Sequence, residues 1–442
     1  MTGASTVAER KARATETPLM PLAALADRGL VVPVLGGDRV PHTNLDLAAS
    51  APPLVAVAQH VAEITPWYSS VHRGTGYASE LATELVEGSR AAVARHVGAR
   101  DEDVVVFTRN TTDALNLLAS AVPGDVVVLD LEHHANLLPW RSRRVVVAQP
   151  SVEGTLLALE AELARCPAAL LAVTGASNVT GELLPIARLA ELAHAHGARI
   201  AVDAAQLLPH RRVSLAESGA DYLAFSGHKA YAPYGAGALV GRADWLDAAT
   251  PYLAGGGAVA DVSLDAVAWR TGPERHEAGT PNVLGAAAIA AALAEFERLG
   301  EPARAAHESA LAARLGAGID RVAGVRRIRA FDDAPEALGI VTLELEHGSV
   351  GLLAAALSAE HGVSVRAGRF CAHPLFDRVA SRSNGLRASV GLGTGEAEID
   401  RFLVALEQLV AEGPRAKYRR TPEGWKPVSD DRPRPALLHR AG

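Results

Sequence analysis

The sequence predicts an α/β fold: a mainly parallel sheet covered by helices on both faces, followed by a smaller α+β unit. Three observations predict it. Short β-branched runs alternate with longer helical stretches through the first two thirds of the chain, the rhythm of βαβ units. The runs are apolar enough to be strands covered on both sides. The 442 residues also exceed the ~250 at which a single core stops growing, so a second unit is expected.

Residues 1–40, rich in alanine with scattered charges, read as an N-terminal arm, and "HTNLDLAASAPP" then opens ordered structure. A large unit over residues 41–296 runs through "DVVVFTR", the helical "NTTDALNLLASAV", "GDVVVLDLE", "ALLAVTGAS", the helical "ELLPIARLAELAHAHG", "RIAVDAAQ" and "DYLAFSG". After the Ala-rich helix "NVLGAAAIAAALAEFERLG", a smaller unit over residues 297–412 carries "GIVTLELE", a helix over "SVGLLAAALSAEHG", "VSVRAG", "GLRASVGLG" and a final helix. In that last helix Ile399, Phe402, Leu403, Leu406, Leu409 and Val410 recur at helical spacing, with Thr394 as cap and Glu396 and Glu398 in the first turn. The tail over residues 413–442 holds eight Lys/Arg against three acids, plus five prolines. It reads as an extended, solvated segment.

Composition narrows the function classes. A net charge of −7 offers no basic surface for nucleic acid. The two cysteines, Cys166 and Cys371, are too far apart in sequence to suggest a disulfide framework or a zinc site. The first thirty residues lack the apolar core of a signal peptide, and no stretch approaches the ~20 apolar residues that span a bilayer. A soluble, cytoplasmic protein is expected.

In open α/β sheets the ligand sits beyond the carboxyl ends of the strands, so the residues that directly follow the apolar runs are informative. In order they are "TRNTT", "EHHAN", "SNVTG", "DAAQ" and "SGHK". Thr111 and Thr112 stand where a strand gives way to a helix. They read either as a plain cap or as a phosphate cradle built on the unpaired N–H groups and positive dipole end. Ser226 and His228 of "SGHK" would serve the same anion. Asp203 ends an apolar strand, where a carboxylate needs a charged or hydrogen-bonded partner, although a strand-end Asp also caps the next segment. Lys229 ends the next strand. A carboxylate, a lysine and a phosphate-binding helix start on one rim are what pyridoxal phosphate needs. The lysine bonds its aldehyde, and the acid keeps the ring nitrogen protonated so that the ring draws electrons from the substrate. His133 or His134 would stack on the ring; otherwise the pair is a solvated turn or a metal candidate without its remaining ligands.

With these residues in view, the chain from about residue 45 to 410 resembles the class V aminotransferase fold group, and within it the cysteine desulfurase and selenocysteine lyase family. The pieces that carry the resemblance include "LDLAASAPP", "SSVHRGTGYAS", "EHHANLLPW", "VDAAQLLPH", "FSGHKAYAPYGAGAL", "HEAGTPNVLG", "VRAGRFCAHPL" and "LRASVGLGT". The resemblance implies a fold-type I pyridoxal-phosphate-dependent transferase, with a large domain and a smaller α+β C-terminal domain. It implies Lys229 as the lysine bonded to the cofactor, Asp203 on the ring nitrogen, Gln206 on the ring hydroxyl, and His133 stacked on the ring with Asn178 nearby. Thr112, Ser226 and His228, with Thr111 beside them, would hold the phosphate. Thr280 of a neighbouring subunit would join them, which implies a homodimer. Arg387 would bind the substrate carboxylate, a bidentate task suited to guanidinium, with Arg366, His72 and Arg73 lining the same pocket.

Cys371 matches the nucleophile that takes sulfur or selenium from L-cysteine or L-selenocysteine as a persulfide, leaving L-alanine. It reads otherwise as a small hydrophobe, but its place between Arg369 and His373 favours thiolate. Members of that family usually carry two small or imidazole residues before the cysteine, where this chain has Arg369 and Phe370, and His373 stands where glutamine is more familiar. These flanks keep a C–S lyase, epimerase or aminotransferase on a specialised amino acid as the alternative. The short loop resembles the branch whose sheltered cysteine passes sulfur to an acceptor protein.

Overall fold

The computed structural model of the chain describes residues 18–334 and 337–435. Residues 1–17 of the expected arm and 436–442 of the tail lie outside the described residues. Seven strands form the central sheet: β1 (Asp103–Thr108), β2 (Val126–Leu129), β3 (Arg143–Val146), β4 (Leu170–Thr174), β5 (Arg199–Asp203), β6 (Tyr222–Ser226) and β7 (Gly237–Arg242). Their spatial order is β3-β2-β4-β5-β6-β7-β1. Strand β7 runs antiparallel to both neighbours; every other pair is parallel. The pleat explains the continuous apolar runs. Val127, Leu171, Val173, Leu223 and Phe225 enter the core on one face, and Val128, Leu170, Ala172, Tyr222 and Ala224 the core on the other.

The glycine-bearing stretch after Lys229 reads in sequence as a turn, yet from Gly237 it is strand β7. A Cβ at Gly237 would stand 2.5 Å from the Phe225 carbonyl oxygen and 2.8 Å from the Cα of Asn110. Glycine is what lets this strand enter between β6 and the residue that caps helix α1 (Thr111–Ala121).

Helix α2 (Val283–Leu299) leads into α3 (Glu301–Ile319), and a second sheet comes after it. Its strands β8 (Val325–Arg327), β9 (Ile340–Leu345), β10 (Arg366–Gly368) and β11 (Gly385–Ser389) lie in the order β8-β9-β11-β10, all antiparallel. They share a core with α3, α4 (Val350–His361) and α5 (Glu396–Glu412) built on Leu315, Leu343, Leu357, Phe402 and Leu406. The cap of α5 is Gly395, not Thr394. The Gly395 N–H donates to Glu398 at 3.0 Å, while the Thr394 hydroxyl accepts from the Gly391 amide at 3.1 Å. Glu398 thus makes the half of a capping box that satisfies the cap residue's own N–H.

The described part of the N-terminal arm packs on the body, while the described part of the tail departs from the extended, solvated segment expected. The Leu22 and Ala23 amides donate to the Leu392 carbonyl at 2.8 and 3.0 Å. Thr43–Asn44 pairs in parallel with Val363–Ser364, and Leu45 is buried in the core of the second sheet. At the other end, β12 (Tyr418–Thr421) and β13 (Gly424–Pro427) form a hairpin against α4. The cause is Glu360, a buried carboxylate that needs donors. It accepts from the Arg415 and Ala416 amides at 3.0 and 3.1 Å and from the Tyr418 hydroxyl at 3.0 Å. Among the described residues, no helix is long and apolar enough to cross a membrane.

Helix α3 joins the two sheets through Glu308. This buried carboxylate accepts from the Gly339 amide at 3.0 Å and pairs with His210 at 2.6 Å and with Arg211. Burial opposes its charge, but His210, the Gly339 amide and Arg211 hold its pKa down at about 2. A carboxylate depressed in the folded state contributes stability above its ordinary value of 4.5 and loses it as the pH falls towards 2. Glu308→Gln should therefore cost about 3 kcal/mol near neutrality. In urea unfolding measured across pH, the deficit should shrink below pH 4.5.

Candidate active site

The carboxyl ends of β4, β5 and β6 bring Thr174, Asp203 and Ser226 to one edge, and a cleft of about 240 Å³ opens there. At one end helix α1 begins. Asn110 caps it, its side-chain oxygen accepting from the Asp113 amide at 3.0 Å. The Ser226 Oγ accepts from the Thr111 amide at 2.8 Å and lies 2.7 Å from the Thr111 hydroxyl. Thr112 is exposed on the same first turn. Burial, then the nearby Lys229 ammonium, lowers the pKa of His228. This end gathers hydroxyls, a neutral imidazole and the positive end of a helix, which suits an anion.

Lys229 occupies the middle and is the only lysine between residues 12 and 416. Burial pulls its pKa down to about 8; Asp203 opposes that shift, and Arg387 and Arg366 reinforce it. Asp203 is itself buried, its Oδ1 accepting from the Ala205 amide at 2.9 Å. Burial raises its pKa and Lys229 counteracts this. Gln206 donates through Nε2 to the Ala48 carbonyl at 2.7 Å, while its buried Oε1 has no partner among the described residues. Burial brings the pKa of His133 down to about 4, helped by the charges of Lys229, His134 and Arg387. Its neutral ring accepts from the Ala135 amide through Nδ1 at 3.0 Å, which leaves the proton on Nε2.

The far end comes from the second sheet. Arg387 is 2% exposed; its Nη1 donates to the Asn178 carbonyl at 2.8 Å and its Nη2 to Asp46 at 3.4 Å. The guanidinium carbon stands 4.9 Å from the ring centre of Phe370, and Nε has no partner among the described residues. Burial brings its pKa down to about 10. Beside it, Phe370 and Cys371 hold φ values of 49° and 55°. The left-handed conformation costs about 1–2 kcal/mol per residue, and three hydrogen bonds fix it. Asn178 Nδ2 donates to the Phe370 carbonyl at 2.8 Å, the His134 amide to the Cys371 carbonyl at 2.7 Å and the Ala372 amide to the Arg369 carbonyl at 3.0 Å. Cys371 is thereby exposed, with its sulfur in electrostatic reach of Lys229 and Arg387.

The cleft therefore brings together Thr111, Thr112, His133, Asn178, Asp203, Gln206, Ser226, His228, Lys229, Arg366, Cys371 and Arg387. It does not gather His72, Arg73 or Thr280 of the same chain. His72, in a left-handed turn with φ of 67°, bonds Glu87 at 3.0 Å, and Arg73 lies against Gly257. Both line a separate recess. Thr280 lines another hollow, of about 350 Å³, with Phe107 and Tyr252. Asp46 and Phe370 hold Arg387 without being singled out as site residues in the sequence. The one available signal was a carboxylate inside the apolar "LDLAASAPP". The donor set fits pyridoxal phosphate: an anion site at a helix start, a lysine with a depressed pKa, a buried carboxylate and the unpartnered Gln206 oxygen.

The model of the class-V aminotransferase family matches residues 43–402. A probable cysteine desulfurase of Mycolicibacterium paratuberculosis is 37% identical over 359 residues, 78% of this chain and 52% of the relative. A cysteine desulfurase of Dickeya dadantii is 34% identical over 391 residues, 84% of this chain and 92% of the relative. Among solved structures, the apo cysteine desulfurase of Thermococcus onnurineus matches with a TM-score of 0.78 and 32% identity, over 84% of this chain and 95% of that one. The chain spans only about half the length of the mycobacterial relatives, 52% in one case and 58% in a second from Mycobacterium leprae. With a family model that matches most of its length and relatives above 30% identity, this chain is a member of the class-V aminotransferases.

Proposed function

We propose that the chain is a pyridoxal-phosphate-dependent cysteine desulfurase, with L-selenocysteine as a second substrate. The observation that carries this reading is Cys371, exposed on a fixed left-handed turn within electrostatic reach of both Lys229 and Arg387. Lys229 would hold the cofactor aldehyde, Asp203 would serve its ring nitrogen, Gln206 its ring hydroxyl, and Thr112, Ser226 and His228 its phosphate. When bound, the cofactor supplies an electron sink for bonds made and broken at the amino-acid carbons.

The protein's own groups do the rest. Arg387, already stripped of water, takes the substrate carboxylate and fixes its orientation. With Cα and the carboxylate so held, the substrate sulfur points to Cys371. The Cys371 sulfur forms an S–S bond to it as the C–S bond breaks. The carbon is reduced and the transferred sulfur oxidised, and one proton ends on the carbon, so L-alanine and a Cys371 persulfide account for all atoms. Lys229, with a pKa near 8, is poised to carry protons on this face. Arg369 and Phe370, the residues that depart from the family pattern, are used structurally. Arg369 donates to the His373 carbonyl at 2.7 Å and pairs with Asp377, and Phe370 lies under Arg387.

The working unit we propose is a cytoplasmic homodimer that passes sulfur to an acceptor protein. Thr280, His72 and Arg73 lie outside their own cleft, and in the proposed dimer Thr280 would join a partner's phosphate site.

Two outcomes test this reading. With L-cysteine and a reducing thiol the loaded enzyme should release sulfide and L-alanine, and Cys371→Ala should abolish this while the protein stays yellow. Pyruvate or a keto acid as product would favour the lyase or aminotransferase alternative, and desulfuration surviving in Cys371→Ala would remove the nucleophile. In the cofactor-free protein, a small aldehyde followed by borohydride should label Lys229, because the neutral amine is the nucleophile. By mass spectrometry the labelling rate should rise with pH and level off above about 8. Asp203→Asn should move that inflection to lower pH, since the carboxylate favours the ammonium form.

A further inference from the structure

One stretch of chain, residues 370–389, carries both Cys371 and Arg387, and its ties to the rest of the molecule change sides on the way. Its first half is held by the large unit. Phe370, Ala372, Leu375 and Phe376 are buried in the core on one face of the large sheet, and the Cys371 turn is bonded to Asn178 and His134. From Val379 on, the polar ties run to the second sheet. The Val379 carbonyl accepts from Arg326 of β8 at 3.4 Å, and Glu344 of β9 accepts from the Ser381 and Arg382 amides at 3.0 and 3.1 Å.

Arg378 stands at the crossing. It lies on the short helix His373–Val379, its Nε donates to Asp130 Oδ2 at 3.0 Å, and its Nη2 is buried with no partner among the described residues. Asp130 is thus the group that answers its charge. Asp130 is itself a fixed post: it directly follows β2, its amide donates to the Val146 carbonyl at 3.0 Å, and its Oδ1 accepts from the Ala148 amide at 3.0 Å. The two side chains are 20% and 9% exposed. In such a setting, removing one partner strands the charge of the other.

We infer that Asp130 is a positioning residue for Cys371: by pinning Arg378 to the large sheet, it keeps the cysteine turn with Lys229 rather than with the second sheet. This rests on the reading of Cys371 as the nucleophile. The left-handed φ values of Phe370 and Cys371 give the turn a reason to relax, and its own hydrogen bonds oppose that from one side. The ion pair seven residues on opposes it from the other. Attack on sulfur needs the two sulfur atoms aligned and in contact, so a turn displaced by about 1 Å reacts far more slowly even when the substrate is fully bound.

The test uses Asp130→Asn, which keeps the oxygen that the Ala148 amide needs and removes the charge. Hydrogen exchange of the loaded enzyme, read by mass spectrometry, should rise about tenfold over residues 369–380, with the β11 peptide within about twofold of the parent. For sulfide release from L-cysteine, kcat should fall about tenfold. The dissociation constant of L-alanine, read from the visible spectrum, should stay within about twofold, because Arg387 is left in place. Arg378→Gln should reproduce these effects, and the double variant should be no worse than either single one, as two residues acting through one contact require. The inference is overturned if exchange over 369–380 or kcat stays within about twofold of the parent, if L-alanine binding weakens in step with kcat, or if the losses multiply in the double variant. Should Asp130→Asn fail to fold, Arg378→Gln, at the more exposed position, decides by the same readings. A parent enzyme that makes no sulfide would sink the desulfurase reading, while exchange over 369–380 would still report on the anchor, so the two failures are separable.

Discussion

An amine held out of water is the constraint on which the rest of the structure depends. A lysine in solution is an ammonium with little power as a nucleophile, and removing water is what makes it one. Burial brings Lys229 to about 8, and the cleft around it is arranged to hold that balance. One buried carboxylate, Asp203, pulls the amine back towards its charged form, and two guanidiniums pull the other way. The same desolvation acts on its neighbours, lowering His133 to about 4 and Arg387 to about 10. A site this dry keeps its charges only where each has a fixed counter-group.

That requirement explains why the cleft lies between the two sheets. The parallel strands bring Asp203, Ser226 and Lys229 to one edge, but they carry no cation for a substrate carboxylate. The second sheet supplies Arg366 and Arg387 from adjacent strands, and the segment after Asn44 supplies the carboxylate between them. Cys371 enters on a turn tied to Asn178 and His134, both beyond strands of the large sheet. Two buried cores thus present opposite walls of one cavity.

Much of this was legible in the sequence because parallel strands put their carboxyl ends on a common edge. Reading the residue after each apolar run is therefore close to reading the wall of the cleft, and "DAAQ" and "SGHK" line it as the pattern predicts. Features set by distant partners were not legible. Strand β7 hides behind Gly235 and Gly237, which signal a turn locally; Phe225 and Asn110 are what demand the second glycine. The tail has the composition of a solvated segment, and the donor-hungry Glu360 folds it into a hairpin. Asp46 resembles any strand-end acid until Arg366 and Arg387 come alongside. His72 and Arg73 sit in a stretch, "VHRG", that suggests a pocket in sequence, but sequence gives no address in space, and their own chain turns them away from the cleft.

The pairing of Thr43–Asn44 with Val363–Ser364 has a consequence for how the molecule is made. Thr43–Asn44 leaves the ribosome about 320 residues before its strand partner. At ~5–20 residues per second that wait is on the order of tens of seconds. Through it the apolar Leu45, destined for the second core, has nowhere to go. The large sheet has all its strands by Arg242, so it is free to form during synthesis, whereas the arginine wall of the cleft closes only once Arg387 has been made. Lys229 is in place long before anything can hold a substrate against it.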